Sequence, residues 1–121
     1  MMKLKILPPT LREKKRYIAF NLYTTKKIKK DDLINLLGSN LINLYGEIES
    51  SHINIWVINI KEIQNRDRIQ YKCLIKCQRG YEEKVLMSLD CISVHKSNPI
   101  VIHTLSTSGT IKSLDDKYDL L

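Results

Sequence analysis

The chain has no apolar run near the roughly 20 residues needed to cross a bilayer, and its N-terminus lacks the apolar core and small-residue cleavage site of a secretory signal. A soluble, cytoplasmic protein with no membrane association is the expectation. Its three cysteines, Cys73, Cys77 and Cys91, are odd in number, and no two are spaced as Cys-x-x-Cys, which argues against a thiolate metal site or a redox pair. Buried reduced thiols are expected, with Cys73 and Cys77 sharing a parity on one strand. There is no Walker loop and no nucleophile elbow, and His52, His95 and His103 form no metal-ligand pattern. No catalytic site is expected on the protein itself. Internal repeats and low-complexity segments are absent too.

Acids are missing from one place in particular. Residues 1 to 30 hold ten Lys or Arg and the single acid Glu13, a local balance of +9, whereas the remainder carries −2. The net charge of +7 is therefore entirely N-terminal, the footprint of an edge that binds a polyanion; a solvated tail serving solubility is the plainer alternative. With 121 residues, 43% of them hydrophobic, one domain over residues 1 to 121 is expected, with 1 to 15 as an extended basic arm. Pro8 and Pro9 stiffen that arm, and Arg12, Lys14, Lys15 and Arg16 crowd its end. From Arg16 the pattern turns to period two. Ile18, Phe20 and Leu22 share one face, and Tyr17, Ala19, Asn21 and Tyr23 the other, as in a half-buried strand.

The polar link Thr24 to Lys30 leads to a helix predicted from about Asp32 to Tyr45. Its stripe is Leu33, Leu37, Leu41 and Leu44, with Gly46 as a left-handed C-terminal cap. Ile53 to Ile60 reads as a strand apolar on both faces, with Ile53, Ile55 and Val57 on one and Trp56, Ile58 and Ile60 on the other. Lys61 to Arg68 is expected as a hairpin loop with Arg66 and Arg68 at its tip. Ile69 to Gln78 returns as a strand, and Tyr81, Val85, Leu89 and Ile92 form the stripe of a second helix with Glu82 and Glu83 in its first turn. A turn at Ser97-Asn98-Pro99 precedes a strand from Ile100 to Leu105. Thr107 to Thr110 then opens a last helix with Ile111, Leu114, Tyr118 and Leu121 on one side. The order is βαββαβ plus a C-terminal helix. This predicts an α+β sandwich of the ferredoxin-like or RNA-recognition-like kind, an antiparallel sheet with helices on one face.

RNA-recognition domains stack bases on aromatics of their third strand, but YKCLIKCQ lacks that pattern. Tyr17 and Tyr23 are candidates for stacking on the first strand, although wet-tipped strand tyrosines are common. The chemistry left for RNA is phosphate neutralisation. Arg12, Lys14, Lys15 and Arg16 are the first candidates, with Lys3 and Lys5 in support. SGTIKS adds a helix N-terminus followed by Lys112, although capping accounts for its hydroxyls equally well.

The run LPPTLREKKRYIAF near the N-terminus, with SGTIKSL near the C-terminus, resembles the archaeal ribonuclease P protein component 2 family. The resemblance covers nearly the whole chain. It implies an RNA-recognition-like domain serving the ribonucleoprotein that removes the 5′ leader from precursor tRNA. It implies that the RNA subunit performs the hydrolysis with Mg2+ at its own active site, while the protein binds no cofactor. It also names ribonuclease P RNA as a partner and precursor tRNA within the holoenzyme. The barrel-fold ribonuclease P protein component 3 is a further partner, and two such pairs can form a heterotetramer. Trp56, Ile58 and Ile60 on an edge strand are the candidate partner surface. Two alternatives remain beside this. A general RNA-binding module needs only the basic arm. An acylphosphatase-like hydrolase shares the βαββαβ order but needs an anion-cradling loop with arginine after the first strand, and TTKKIKK has neither arginine nor glycine. A small-molecule regulatory domain leaves the basic N-terminus unexplained.

Overall fold

The alternation at Ile18, Phe20 and Leu22 puts three large side chains in full burial, and the strand carrying them is the centre of the sheet. The structure is a computed structural model describing residues 15 to 64 and 67 to 121. Its elements are β1 (Lys15–Thr24), α1 (Lys30–Ile53), β2 (Trp56–Gln64), β3 (Ile69–Gln78), α2 (Glu82–Asp90), β4 (Val94–His95), β5 (Asn98–Ser108) and α3 (Ile111–Tyr118). The sheet order is β2-β3-β1-β5-β4, with each neighbouring pair antiparallel. This is the expected ferredoxin-like βαββαβ fold with a C-terminal helix. β4 is a short addition at one edge, and β2 forms the other edge. Among the described residues no helix is long and apolar enough to cross a membrane.

On one face, α1 and α2 bury Leu33, Leu37, Leu41, Val85 and Leu89 against Ile18, Phe20, Leu22, Cys73 and Ile75. At about 1.5 to 3 kcal/mol for each large apolar side chain removed from water, this cluster supplies most of the hydrophobic stabilisation. On the other face, α3 covers a smaller cluster of Ala19, Leu74, Leu114 and Leu120. The two helices of the first face are joined by polar contacts. Asn40 Nδ2 donates to the Ser88 carbonyl and hydroxyl, each at 2.7 Å, and Lys84 pairs with Glu49.

Several expected boundaries move. α1 begins at Lys30 and continues to Ile53. Gly46 does break it (φ 84°, ψ 169°, a region open in practice only to glycine), yet the chain resumes helical geometry beyond and ends at Asn54 in the left-handed region. Leu44, expected in the buried stripe, is exposed because the four-residue spacing of Leu33, Leu37 and Leu41 continues to Tyr45, which packs on the core. Ile53 accordingly closes a helix and does not open a strand. Within β2 the register against β3 shifts between Val57 and Asn59, a bulge that re-aims every later side chain. Ile58 packs on the α3 side and Ile60 on the α1–α2 side, so the two do not share a face as expected. α3 ends at Tyr118, and Asp119 in the left-handed region turns the chain so that Leu120 is buried and Leu121 exposed, the reverse of the expected stripe. The turn before the last long strand lies at Lys96-Ser97, one residue earlier than read, and β5 begins at Asn98.

Cys73 and Cys77 are buried core side chains, and burial pushes the Cys77 thiol up to about 11 and that of Cys73 higher still. Cys91 departs from the expectation: it is exposed at the C-terminal cap of α2, while Leu89 and Ile92 on either side of it are the residues turned into the core.

Candidate nucleic-acid interface

The start of β1 and the end of β5 meet at one end of the sheet. Tyr17 lies opposite Ser108, so the next residue on each strand brings Arg16 beside Gly109. A Cβ placed on Gly109 would stand 2.9 Å from Arg16 Nη1, so glycine is what lets the guanidinium lie against this backbone. Two stretches more than ninety positions apart in the chain, KRY from Lys15 and SGTIKS, therefore form one surface. Lys15 pairs across to Gln78, and Lys76 lies opposite Tyr17, with Arg79 exposed just beyond β3. Lys112 is exposed in the first turn of α3. The density of cations at this end also shows at Cys77, where burial dominates and Arg16 and Lys15 pull in the opposite direction.

The hydroxyls of SGT are occupied by the fold. Ser108 Oγ accepts from the Thr110 N–H and Thr110 Oγ1 from the Ser113 N–H, each at 3.3 Å, an N-cap of the usual serine and threonine kind. What this end offers an anion is thus the guanidinium and ammonium groups of Lys15, Arg16, Lys76, Arg79 and Lys112. Arginine can hold two phosphate oxygens at once, and the lysines act as point charges. Arg12, Lys14, Lys3 and Lys5 lie outside the described residues, as does Arg66. Lys76 and Arg79 were not read from the sequence as site residues. Their signal was the two cations at the end of the third strand, and only the antiparallel pairing with β1 gives that a meaning.

The sheet face carries the two tyrosines considered for stacking. Tyr17 packs beneath α3 with Ile58, Leu105, Ile111 and Tyr118. The Tyr23 ring is covered by the Arg68 guanidinium at 4.2 Å from its centroid. Both rings therefore have intramolecular partners. α3 itself is clasped from the sheet: Lys72 Nζ donates to the Tyr118 carbonyl at 2.8 Å, Asn59 Nδ2 to the Leu120 carbonyl at 2.7 Å, and Lys61 Nζ to the Asp119 carboxylate at 3.0 Å.

Trp56 is 58% exposed at the β2 edge, its indole N–H donating to Asn54 Oδ1 at 3.0 Å and its ring 5.6 Å from Lys76 Nζ. It borders an apolar cleft of about 370 Å3 with Ile34, Leu37, Ile55 and Val57. Because of the bulge, Ile58 and Ile60 each face a different side of the sheet and do not extend this surface. Ile34 takes their place beside Trp56, a neighbour that the sequence does not mark. Among the described residues no group of three His, Cys, Asp or Glu converges as a metal site.

A family model described as the Rpp14/Pop5 family matches residues 16–118. The chain is 36% identical over 115 residues to a protein of Methanothermobacter thermautotrophicus named Ribonuclease P protein component 2, covering 95% of this chain and 93% of that one. It is 38% identical over 113 residues to the protein of the same name from Methanobrevibacter smithii, covering 93% and 94%. With the namesake from Methanococcus aeolicus the identity is 40% over 115 residues, covering 95% and 79%. A chain in a cryo-EM structure of yeast Ribonuclease MRP matches with a TM-score of 0.49 at 11% identity, over 88% of this chain and 92% of that one, a likeness too loose to carry an argument.

Proposed function

The chain belongs to the Rpp14/Pop5 family, and on that premise we propose that it is a protein subunit of ribonuclease P that binds and supports the catalytic RNA removing the 5′ leader from precursor tRNA. The observation that carries this reading is the meeting of Arg16 with Gly109 at the head of α3, which gathers cations from β1, β3 and α3 at one end of the sheet. Such a surface suits a phosphate backbone and not an unstacked base, since both candidate tyrosines are already engaged. The chemistry falls to the RNA, with Mg2+ at the RNA active site. The protein contributes charge neutralisation and a rigid support. In the same reading ribonuclease P protein component 3 seats on the apolar cleft at Trp56, two such pairs form a heterotetramer, and the assembly works in the cytoplasm.

Reconstitution with a transcribed ribonuclease P RNA and precursor tRNA tests this. Specific 5′ cleavage is expected only when the RNA subunit is present. The Lys15→Ala and Arg16→Ala double variant should bind that RNA more weakly, with the slope of log affinity against log salt lowered by about 0.7 to 0.9 per lost phosphate contact. Cleavage by rigorously RNA-free protein, or an unchanged slope, overturns the reading.

A further inference from the structure

Lysines are also gathered at the opposite end of the sheet. β1 leaves the sheet at Thr24, and the link that follows presents Lys26 and Lys27 on one wall of a cleft of about 200 Å3. His95 and Lys96 of the β4–β5 hairpin line it as well, with Asn98. This link is held in place from within. Ile28 is buried, its N–H donates to the Tyr71 hydroxyl at 2.9 Å, and the Lys26 N–H donates to Thr24 Oγ1 at 3.3 Å. The lysines therefore project from a pinned loop.

Resting on the RNA-binding reading above, we propose that Lys26, Lys27 and Lys96 form a second contact with RNA phosphates, at the end of β1 remote from Arg16.

Three observations bear on it. The single carboxylate lining the cleft, Asp32, accepts the Lys29 N–H at 3.2 Å as part of the α1 cap and stands 3.9 Å from Lys96 Nζ, so it offsets one cation and leaves the cleft positive. The hairpin turn has positive φ at both central residues (47° and 67°), a geometry that favours Asn-Gly, yet it carries Lys96-Ser97. A lysine held against local preference at the rim of a cationic cleft is a departure of the kind found where a side chain serves binding. Finally, the two cationic ends are separated by the ten residues of β1, about 30 Å at roughly 3.3 Å per residue. A nucleic-acid backbone supplies charge continuously over that distance, whereas an acidic protein surface does so only in patches. RNA is therefore the occupant of both ends, and the strand between them sets their spacing.

The test is binding of the full chain to a transcribed ribonuclease P RNA over a series of salt concentrations. The Lys26→Gln, Lys27→Gln, Lys96→Asn variant should lower the salt slope by about 0.7 to 0.9 per lost contact, in addition to the loss from the Lys15 and Arg16 variant. The charge-conserving variant with arginine at positions 26 and 27 should keep the slope. All three positions are exposed, and asparagine suits the left-handed turn, so the thermal midpoint should be unchanged. A full slope in this folded variant, while the Lys15 and Arg16 variant shows its loss, overturns the second contact alone. If the variant keeps its RNA slope but loses affinity for polyglutamate, the cleft serves an acidic polypeptide and the inference is likewise overturned. An unmutated chain without affinity for the transcript brings down the RNA-binding reading and this inference together.

Discussion

The two faces of the sheet are closed by different means. On the α1–α2 side, long apolar side chains from two helices interlock with the central strands, and hydrogen bonds such as Asn40 to Ser88 only tie the helices to one another. On the α3 side a short helix and the turn after it contribute two fully buried leucines, Leu114 and Leu120, and the segment is then held by three polar side chains reaching from β2 and β3 to its C-terminal end. Apolar burial is non-directional and scales with area, whereas the clasp depends on a few groups in fixed positions. The first face is therefore the foundation of the fold. The second is a separately attached cover, and its N-terminal end carries Lys112 of the proposed RNA contact.

The largest expected difference lies between core truncations on the two faces. Phe20→Ala removes a fully buried ring from the centre of the first face and should cost about 3 to 5 kcal/mol, read as a shift of the denaturation midpoint with the slope unchanged. Leu114→Ala should cost about 2 to 3 kcal/mol and act locally: amides of α3 should lose hydrogen-exchange protection while those of β1 retain theirs. Equal loss of protection at both places would show that the faces unfold as one unit and would remove the distinction.

How much of this was readable follows from the same contrast. The first face is written in alternation and helical spacing: Ile18, Phe20 and Leu22, then Leu33, Leu37 and Leu41, then Val85 and Leu89 are all buried as their periods predict. The errors cluster where a single residue changes parity. The bulge at Ile58 separates it from Ile60, and left-handed Asp119 exchanges Leu121 for Leu120. Neither shift alters composition, so a periodic reading passes over both. Asn54 and Asp119 are residue types that tolerate positive φ, a weak signal that is visible once the helix ends are known. The cationic residues of the site were legible as charge, and Lys15, Arg16 and Lys112 were named from it. That Arg16 meets Gly109 was not, because it depends on β1 pairing with β5 across most of the chain.

A middle-sized effect separates buried from exposed apolar surface. Trp56 is exposed, with one hydrogen bond to Asn54 and Lys76 near its ring, so Trp56→Ala should change the stability of the isolated chain by less than about 1 kcal/mol. Association with component 3 should weaken by about 2 kcal/mol or more if the indole is a central anchor of that interface. Denaturation of the isolated variant checks the first number, and calorimetric titration against the partner the second. An unchanged affinity would move the partner surface away from the β2 edge.

The smallest effect tests whether the clasp on α3 is electrostatic. The Asp119 carboxyl is held below its usual range first by the hydrogen bond from Lys61 and then by the charge of the same group. Because its pKa in the folded chain is depressed, the stabilisation it gives is present above the unfolded carboxylate value and is lost as pH falls through the lower, folded value. Lys61→Met removes the partner and keeps most of the aliphatic stem. The variant should therefore have a slightly lower thermal midpoint than the unmutated chain at neutral pH, and the gap should close on acidification and also in high salt, since the pair is exposed. The bond from Lys72 to the Tyr118 carbonyl involves no carboxylate, and the charge of Lys72 is the smallest influence on Asp119, so Lys72→Met should show a gap that acid closes less than that of Lys61→Met. If the Lys61 gap persists undiminished at low pH, the lysine acts through its stem or through the Asp119 carbonyl, and the second face owes less to charge than the three-point clasp suggests.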